Sequence, residues 1–274
     1  MKVVTAREMA RIEKLAISEG ACGDTFMQQA SKGLATFIQN YIEFYDLEPQ
    51  ITLIVGKGNN GGDAYCTALQ LKGYSCHAYH LGELSESSEL CEKYGKAFKK
   101  AGHHLIEVKD HKEVILPTSG IILDGVLGTG FEGELPALFE KVFALINQAS
   151  IPVLSIDIPS GVSGDYGEMS KNAIFADDTL TLGLPKEGLF HHGGWDHVGH
   201  IEVIDFGIEE KYVKQAISEY ELLEDHVCDW IPKIKNSRHK YQAGFVGGIA
   251  GCSGMMGAAQ LSGLAALRSG CGIV

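Results

Sequence analysis

The chain has 274 residues, 45% of them hydrophobic and 21% charged, with a formal net charge of −12. That composition supplies a substantial core and excludes a disordered chain. An acidic balance without a Lys/Arg-rich block excludes nucleic acid as the partner, while an anionic ligand can still be held by backbone N–H groups. The seven cysteines are scattered, with no C-x-x-C pair, which argues against a zinc cage and for reduced thiols in a cytoplasmic protein. No apolar run reaches the ~20 residues of a membrane span, so no membrane partner is expected. The amino-terminal residues Met1 to Glu8 lack the apolar segment of a signal peptide.

Residues 5–20 read as a helix, with Thr5 as N-cap, Glu8 completing a capping box and Gly20 as the stop. Residues 25–45 read as a second helix with Phe26, Met27, Ala30, Leu34, Phe37, Ile38 and Tyr41 on one stripe. Strands and helices then alternate. The strands are 51–55, 76–81, 104–108, 121–124, 153–157, 179–182 and 200–205, and the helices 61–73, 86–101 and about 135–148. Such alternation predicts an α/β fold with a parallel sheet covered on both faces. Near residue 220 an acidic segment and then a basic one, Lys233 to Lys240, read as a linker. Residues 245–250 and about 256–268 read as a fresh strand and helix, the start of a second domain that 274 residues leave incomplete.

Three loops carry the chemistry, each at the end of an apolar strand. In the first, Gly56-Lys57-Gly58-Asn59-Asn60-Gly61-Gly62-Asp63, the amide and carboxylate oxygens suit a hard cation and the glycines let backbone approach phosphate. The loop also fits G-x-G-x-x-G with Glu83 as a ribose-binding acid. In the second, Asp124 precedes Gly128-Thr129-Gly130-Phe131-Glu132-Gly133-Glu134, a backbone able to wrap a ligand. The third is Asp157-Ile158-Pro159-Ser160-Gly161, where no nucleophile elbow surrounds Ser160; its hydroxyl is expected to bind an ion or phosphate, or to form a turn. Converging acids at strand ends need a task, because a carboxylate is costly to bury alone. The His191 to His197 segment reads as a polar surface loop, and Lys186 as either a phosphate contact or a solvated side chain.

Those three loops, with Ala176-Asp177-Asp178-Thr179-Leu180-Thr181-Leu182-Gly183-Leu184-Pro185-Lys186-Glu187-Gly188-Leu189, resemble the NAD(P)H-hydrate epimerase family. The form resembled is the bifunctional one, which continues into an ADP/ATP-dependent NAD(P)H-hydrate dehydratase. Residues 244–274 resemble the opening of that second enzyme. The resemblance implies a Rossmann-like three-layer αβα sandwich over 1–218, a linker over 219–240, and the beginning of a ribokinase-like domain over 241–274. It implies a potassium ion held by Asn60, Asp124 and Ser160. Hydrated NADH or NADPH is then contacted by Asn59, Asn60, Gly61, Gly62, Asp63, Gly128, Thr129, Gly130, Phe131, Glu132, Gly133, Glu134 and Asp157. ADP or ATP would serve only the missing dehydratase part. A homo-oligomer is expected. Inverting a carbinolamine carbon requires a proton acceptor and a donor beside its hydroxyl; Asp157 is the first choice and Asp63 the second. The chain departs from the family at Gln28-Gln29, where Glu-Asn is usual, and at Ala64, where Gly is usual. An NAD-dependent oxidoreductase built on the glycine turn and Glu83, and a non-catalytic nucleotide-binding module, are the alternatives.

Overall fold

Local chemistry starts and stops the elements. In the computed structural model, which describes residues 1–131 and 133–274, a short strand β1 (Lys2–Val3) leads to α1 (Ala6–Ser18). The Thr5 side chain accepts from the Glu8 N–H, which is half of a capping box. Instead of completing the box, the Glu8 carboxylate accepts from Arg11 and from the Ile217 N–H. Gly20, at φ +110°, ends the turn. Next come α2 (Gly23–Phe44), β2 (Gln50–Val55), α3 (Asn59–Gln70), β3 (Ser75–Leu81), α4 (Glu89–Lys100) and β4 (His104–Val108). Then follow β5 (Ile121–Gly125), α5 (Ala137–Ile146), β6 (Val153–Ile156), β7 (Asp178–Leu182), α6 (Gly194–His197) and β8 (His200–Ile204). The chain continues through α7 (Glu210–Gln215), β9 (Tyr220–Glu221) and α8 (Gly257–Arg268). All seven sheet strands expected from the alternation are present. The very short β1 and β9, paired antiparallel, carry too little pattern to be read from sequence.

The seven strands form one parallel sheet in the order β4-β3-β2-β5-β6-β7-β8. The side-chain period of two splits each strand between two cores. Ile51, Leu53 and Val55 of β2 and Ile121 and Leu123 of β5 join the core under α2, α3 and α4. Ile54 and Ile122 join Val142, Phe143 and Ile146 of α5 on the opposite face. Burying each such aliphatic or aromatic side chain contributes about 1.5–3 kcal/mol. That apolar cover explains why the strands read as continuous hydrophobic runs.

The chain divides into two units, Met1–Leu222 and Leu223–Val274. The second contains α8 and an isolated parallel bridge between Phe245 and Ile273. The expected strand over 245–250 is reduced to that bridge, since a strand needs a paired neighbour along its length. Leu261, Leu264, Leu267 and Ile249 of this unit are exposed.

Candidate active site

Strand order fixes where the loops meet. The chain runs outward from β2 to β4, then returns to place β5 on the other side of β2. The order therefore reverses between β2 and β5, and a crevice opens there at the carboxyl ends of the strands. A cavity of about 790 Å³ occupies that crevice. Asn59, Asn60 and Asp63 from the start of α3 line it, as do Gly128, Thr129, Gly130 and Phe131 from the loop after β5, and Asp157 from the loop after β6. The three distant turns do converge on one space.

Asp124 is the penultimate residue of β5 and is 0% exposed. Its two oxygens accept four hydrogen bonds: from the Ser155 hydroxyl at 2.8 Å, the Ser160 N–H at 2.9 Å, the Ser160 hydroxyl at 2.6 Å and the Val126 N–H at 3.2 Å. Burial pushes its carboxyl pKa up, and the Ser160, Ser155 and Val126 hydrogen bonds pull the other way. The Ser160 hydroxyl also accepts from the Leu127 N–H at 2.8 Å, so it joins the β5 and β6 loops. Asn60 donates its amide N–H groups to Leu127 O at 2.9 Å and Ile156 O at 3.1 Å. Its carbonyl Oδ1 is buried without a hydrogen-bond partner. An orphaned buried oxygen is costly.

Asp157 sits at φ +68°, a left-handed backbone that Asp tolerates better than bulkier residues. Its carboxylate accepts from the Leu182 N–H at 3.2 Å and forms an ion pair with Lys186. Lys186 is 1% exposed and also donates to Leu182 O at 2.6 Å and to the Thr181 hydroxyl at 3.2 Å. The expectation of a solvated or phosphate-bound Lys186 is thus corrected: its ammonium is consumed by Asp157 and the end of β7. Val4 clamps this segment, receiving the Glu187 N–H and donating to Pro185 O. The neighbouring Asp63 carboxyl has no hydrogen-bond partner among the described residues. Burial, followed by the charges of Asp157 and Glu13, raises its pKa well above the ordinary range.

Other candidates lie elsewhere. Gly61 and Gly62 stand behind the cavity wall; both N–H groups are taken by Gly58 O, and Met27 and Cys91 pack where their side chains would be. Gly133 and Glu134 are exposed and do not line the cavity, and Glu132 is outside the described residues. Glu83 is not among the cavity-lining residues and pairs with Lys109 at 3.2 Å. His192 is exposed as expected, but His197 is buried and stacks on Phe175 with centroids 3.9 Å apart. Gln28 turns toward Asp24 at 3.1 Å while Phe26, Met27 and Ala30 of the same helix face the cavity. Ala64 is fully buried, which its small side chain permits. Sequence reading missed Glu13, which lines the cavity from α1. The signal was present: Met9, Ile12, Glu13 and Ala16 follow the i, i+3, i+4, i+7 stripe, and an acid inside an apolar stripe needs a reason.

The raised pKa of Asp63 has a stability consequence. A carboxyl whose folded pKa lies above its unfolded value contributes most below the unfolded value, and that contribution is lost as pH rises through the folded one. Asp63→Asn is therefore expected to melt higher than the parent chain at pH 8, by several degrees at about 2–4 °C per kcal/mol. The gain should disappear near pH 4. Paired thermal melts across that range check it.

The fold and crevice define an α/β protein with a cavity at a topological switch point of its parallel sheet. Residues 23–188 match the family described as YjeF-related protein N-terminus, and the chain belongs to that family. It is 34% identical over 289 residues to the bifunctional NAD(P)H-hydrate repair enzyme Nnr of Dictyoglomus turgidum, covering 100% of this chain and 54% of that relative. It is 30% identical over 216 residues to the NAD(P)H-hydrate epimerase of Rhodopirellula baltica, covering 77% of this chain and 87% of the relative. The chain spans about half the length of the bifunctional relatives it matches. The crystal structure of yeast ynu0, YNL200c, has the same fold, with a TM-score of 0.65 at 20% identity, covering 82% of this chain and 98% of the yeast one.

Proposed function

We propose that residues 1–218 form an NAD(P)H-hydrate epimerase unit that interconverts the R and S hydrates at C6 of the nicotinamide ring. The observation that carries the reading is the meeting of Asp63, Asp157 and Lys186 in one crevice with the glycine loop after β5. The names of the relatives support it, since two of them are an epimerase and a repair enzyme for this hydrate. Residues 219–240 are proposed as a linker. Residues 241–274 are proposed as the opening of a ribokinase-like dehydratase domain, whose ADP or ATP site would need residues beyond this chain. A cytoplasmic location and a homo-oligomer belong to the same proposal.

C6 carries both a hydroxyl and the ring nitrogen. Inversion proceeds by loss and return of water or by ring opening and closure, and either route moves protons at the C6 hydroxyl. In the first route a donor protonates the departing hydroxyl, and an acceptor takes a proton from the water that enters on the other face. Asp157 is assigned the acceptor; Lys186 holds its carboxylate in place and balances its charge. Asp63 is assigned the donor, because burial makes it keep its proton to higher pH than an ordinary carboxyl. Asn59 and Gly128 to Phe131 are assigned to hold the pyrophosphate and ribose parts of the substrate.

A potassium ion fits the residues present. The buried Asn60 Oδ1 lacks a partner, and Asp124 and Ser160, hydrogen-bonded to each other, are the oxygen donors proposed to join it. Bound there, the ion would supply positive charge that orders the three loops and offsets the repulsion among the carboxylates. The chain is expected to melt higher in potassium chloride than in choline chloride at equal ionic strength. The rise approaches about 2.7 kcal/mol at a hundredfold excess over Kd. Asn60→Leu should erase the difference; an unchanged difference in that variant would remove Asn60 from the ion site.

The function itself is tested by giving the chain the pure R hydrate and following both diastereomers by chromatography. The R form should relax to an R/S mixture much faster than without protein. An unaltered relaxation rate refutes the assignment.

A further inference from the structure

This inference rests on the epimerase reading and deepens it. Epimerisation through loss and return of water is proton-neutral overall, yet it leaves the enzyme changed. Asp63 has given its proton to the departing hydroxyl, and Asp157 has gained one from the entering water. Before the next R hydrate can react, one proton must leave Asp157 and one must return to Asp63. A group that sees both carboxyls and also reaches solvent can carry out that reset.

We propose that Glu13 of α1 is the proton relay that restores Asp63 and Asp157 between turnovers. Glu13 lines the same cavity as both acids, and it arrives from a third side. Asp63 comes from α3 and Asp157 from the loop after β6. It is only half-buried, so one side meets solvent. Its carboxyl has no hydrogen-bond partner among the described residues, so it is free to turn. The charged groups facing it are Asp157 and Lys186 across the cavity and Lys14 on its own helix, and Asp63 senses its charge in turn. From α2 the cavity receives Gly23, Phe26, Met27 and Ala30, whose side chains offer no competing proton site. Desolvation, followed by the charge of Asp157, raises the pKa of Glu13, in the direction that lets it hold a proton closer to neutral pH.

The first step passes a proton from Asp157 through Glu13 to water or buffer, and the second brings one back through Glu13 to Asp63. No other bond changes. α1 lies before residue 23, where the family match begins, so the relay is supplied by a segment outside the matched core.

The test is buffer rescue. Glu13→Gln and Glu13→Ala are assayed for R-to-S conversion at fixed pH and ionic strength, with imidazole or formate raised from 1 to 100 mM. Both variants should turn over about tenfold more slowly than the parent chain in dilute buffer. Both should recover most of the loss as buffer rises, while the parent chain stays insensitive. Glu13→Asp should keep most of the rate without added buffer. NADPH affinity, measured by calorimetry, should be equal in all four proteins. Parent-like rates in dilute buffer, or slow rates that no buffer lifts, overturn the relay. A parent chain that does not epimerise at all overturns the function instead, so the two failures are distinguishable.

Discussion

Asp157→Asn is expected to lower epimerase turnover by about 10²–10⁴-fold, the usual worth of a positioned acid or base. The backbone should survive the change, because Asn accepts the left-handed conformation at φ +68° as readily as Asp. Stability should fall as well. Lys186 is 1% exposed and would keep only neutral acceptors: Leu182 O, the Thr181 hydroxyl and the new amide oxygen. Breaking a buried pair by removing one partner costs about 3–5 kcal/mol. The lower end applies here, since Asp157 opens on the cavity. Pairing the change with Lys186→Met should recover much of the stability and none of the turnover. Chirally resolved assay and thermal melts of the single and double variants separate the two effects. Parent-like turnover in Asp157→Asn would take the residue out of the chemistry.

Asp124→Ala is expected to damage the fold outright. Four donors converge on this carboxylate: two serine hydroxyls and two backbone N–H groups, in a place without solvent. Each donor left unpaired costs about 1–3 kcal/mol, and a domain has only about 5–15 kcal/mol to lose. The ends of β5 and β6 and the Ser160 turn lose their common tie together. Circular dichroism should show a melting transition lowered by more than 10 °C, or none. Ser155→Ala, which removes one donor and leaves the other three, should cost about 1 kcal/mol. If Asp124→Ala melts like the parent chain, the hub does not hold the loops.

The sheet was legible because its strands are short apolar runs bounded by Gly, Pro or Asp, and such runs have few other ways to satisfy both faces. That Asn60, Asp124 and Asp157 lie at one end of the sheet was legible for the same reason: each stands at or just beyond the carboxyl end of a strand, and parallel strands end on one side. The Asp157–Lys186 pair was not. Those residues are 29 apart in sequence, and only the adjacency of β6 and β7 brings them into contact. Glu13 was hidden by the same distance, because nothing local says which strand ends α1 will cover. That Gly61 and Gly62 pack tightly behind the cavity was not legible, because a glycine needed for backbone approach and one needed for close packing look identical in a sequence. Here helix hydrogen bonds consume their N–H groups.

The left-handed turn at residue 157 restricts what evolution can write there. Glycine, asparagine and aspartate fit that geometry best and histidine tolerates it, as His192 does at φ +47°; cysteine and glutamate would strain it more. Descendants of this chain therefore have little freedom to retune acidity by exchanging the residue itself. Adaptation to a different working pH has to come from substitutions in its surroundings, on helices and strands far away in the gene.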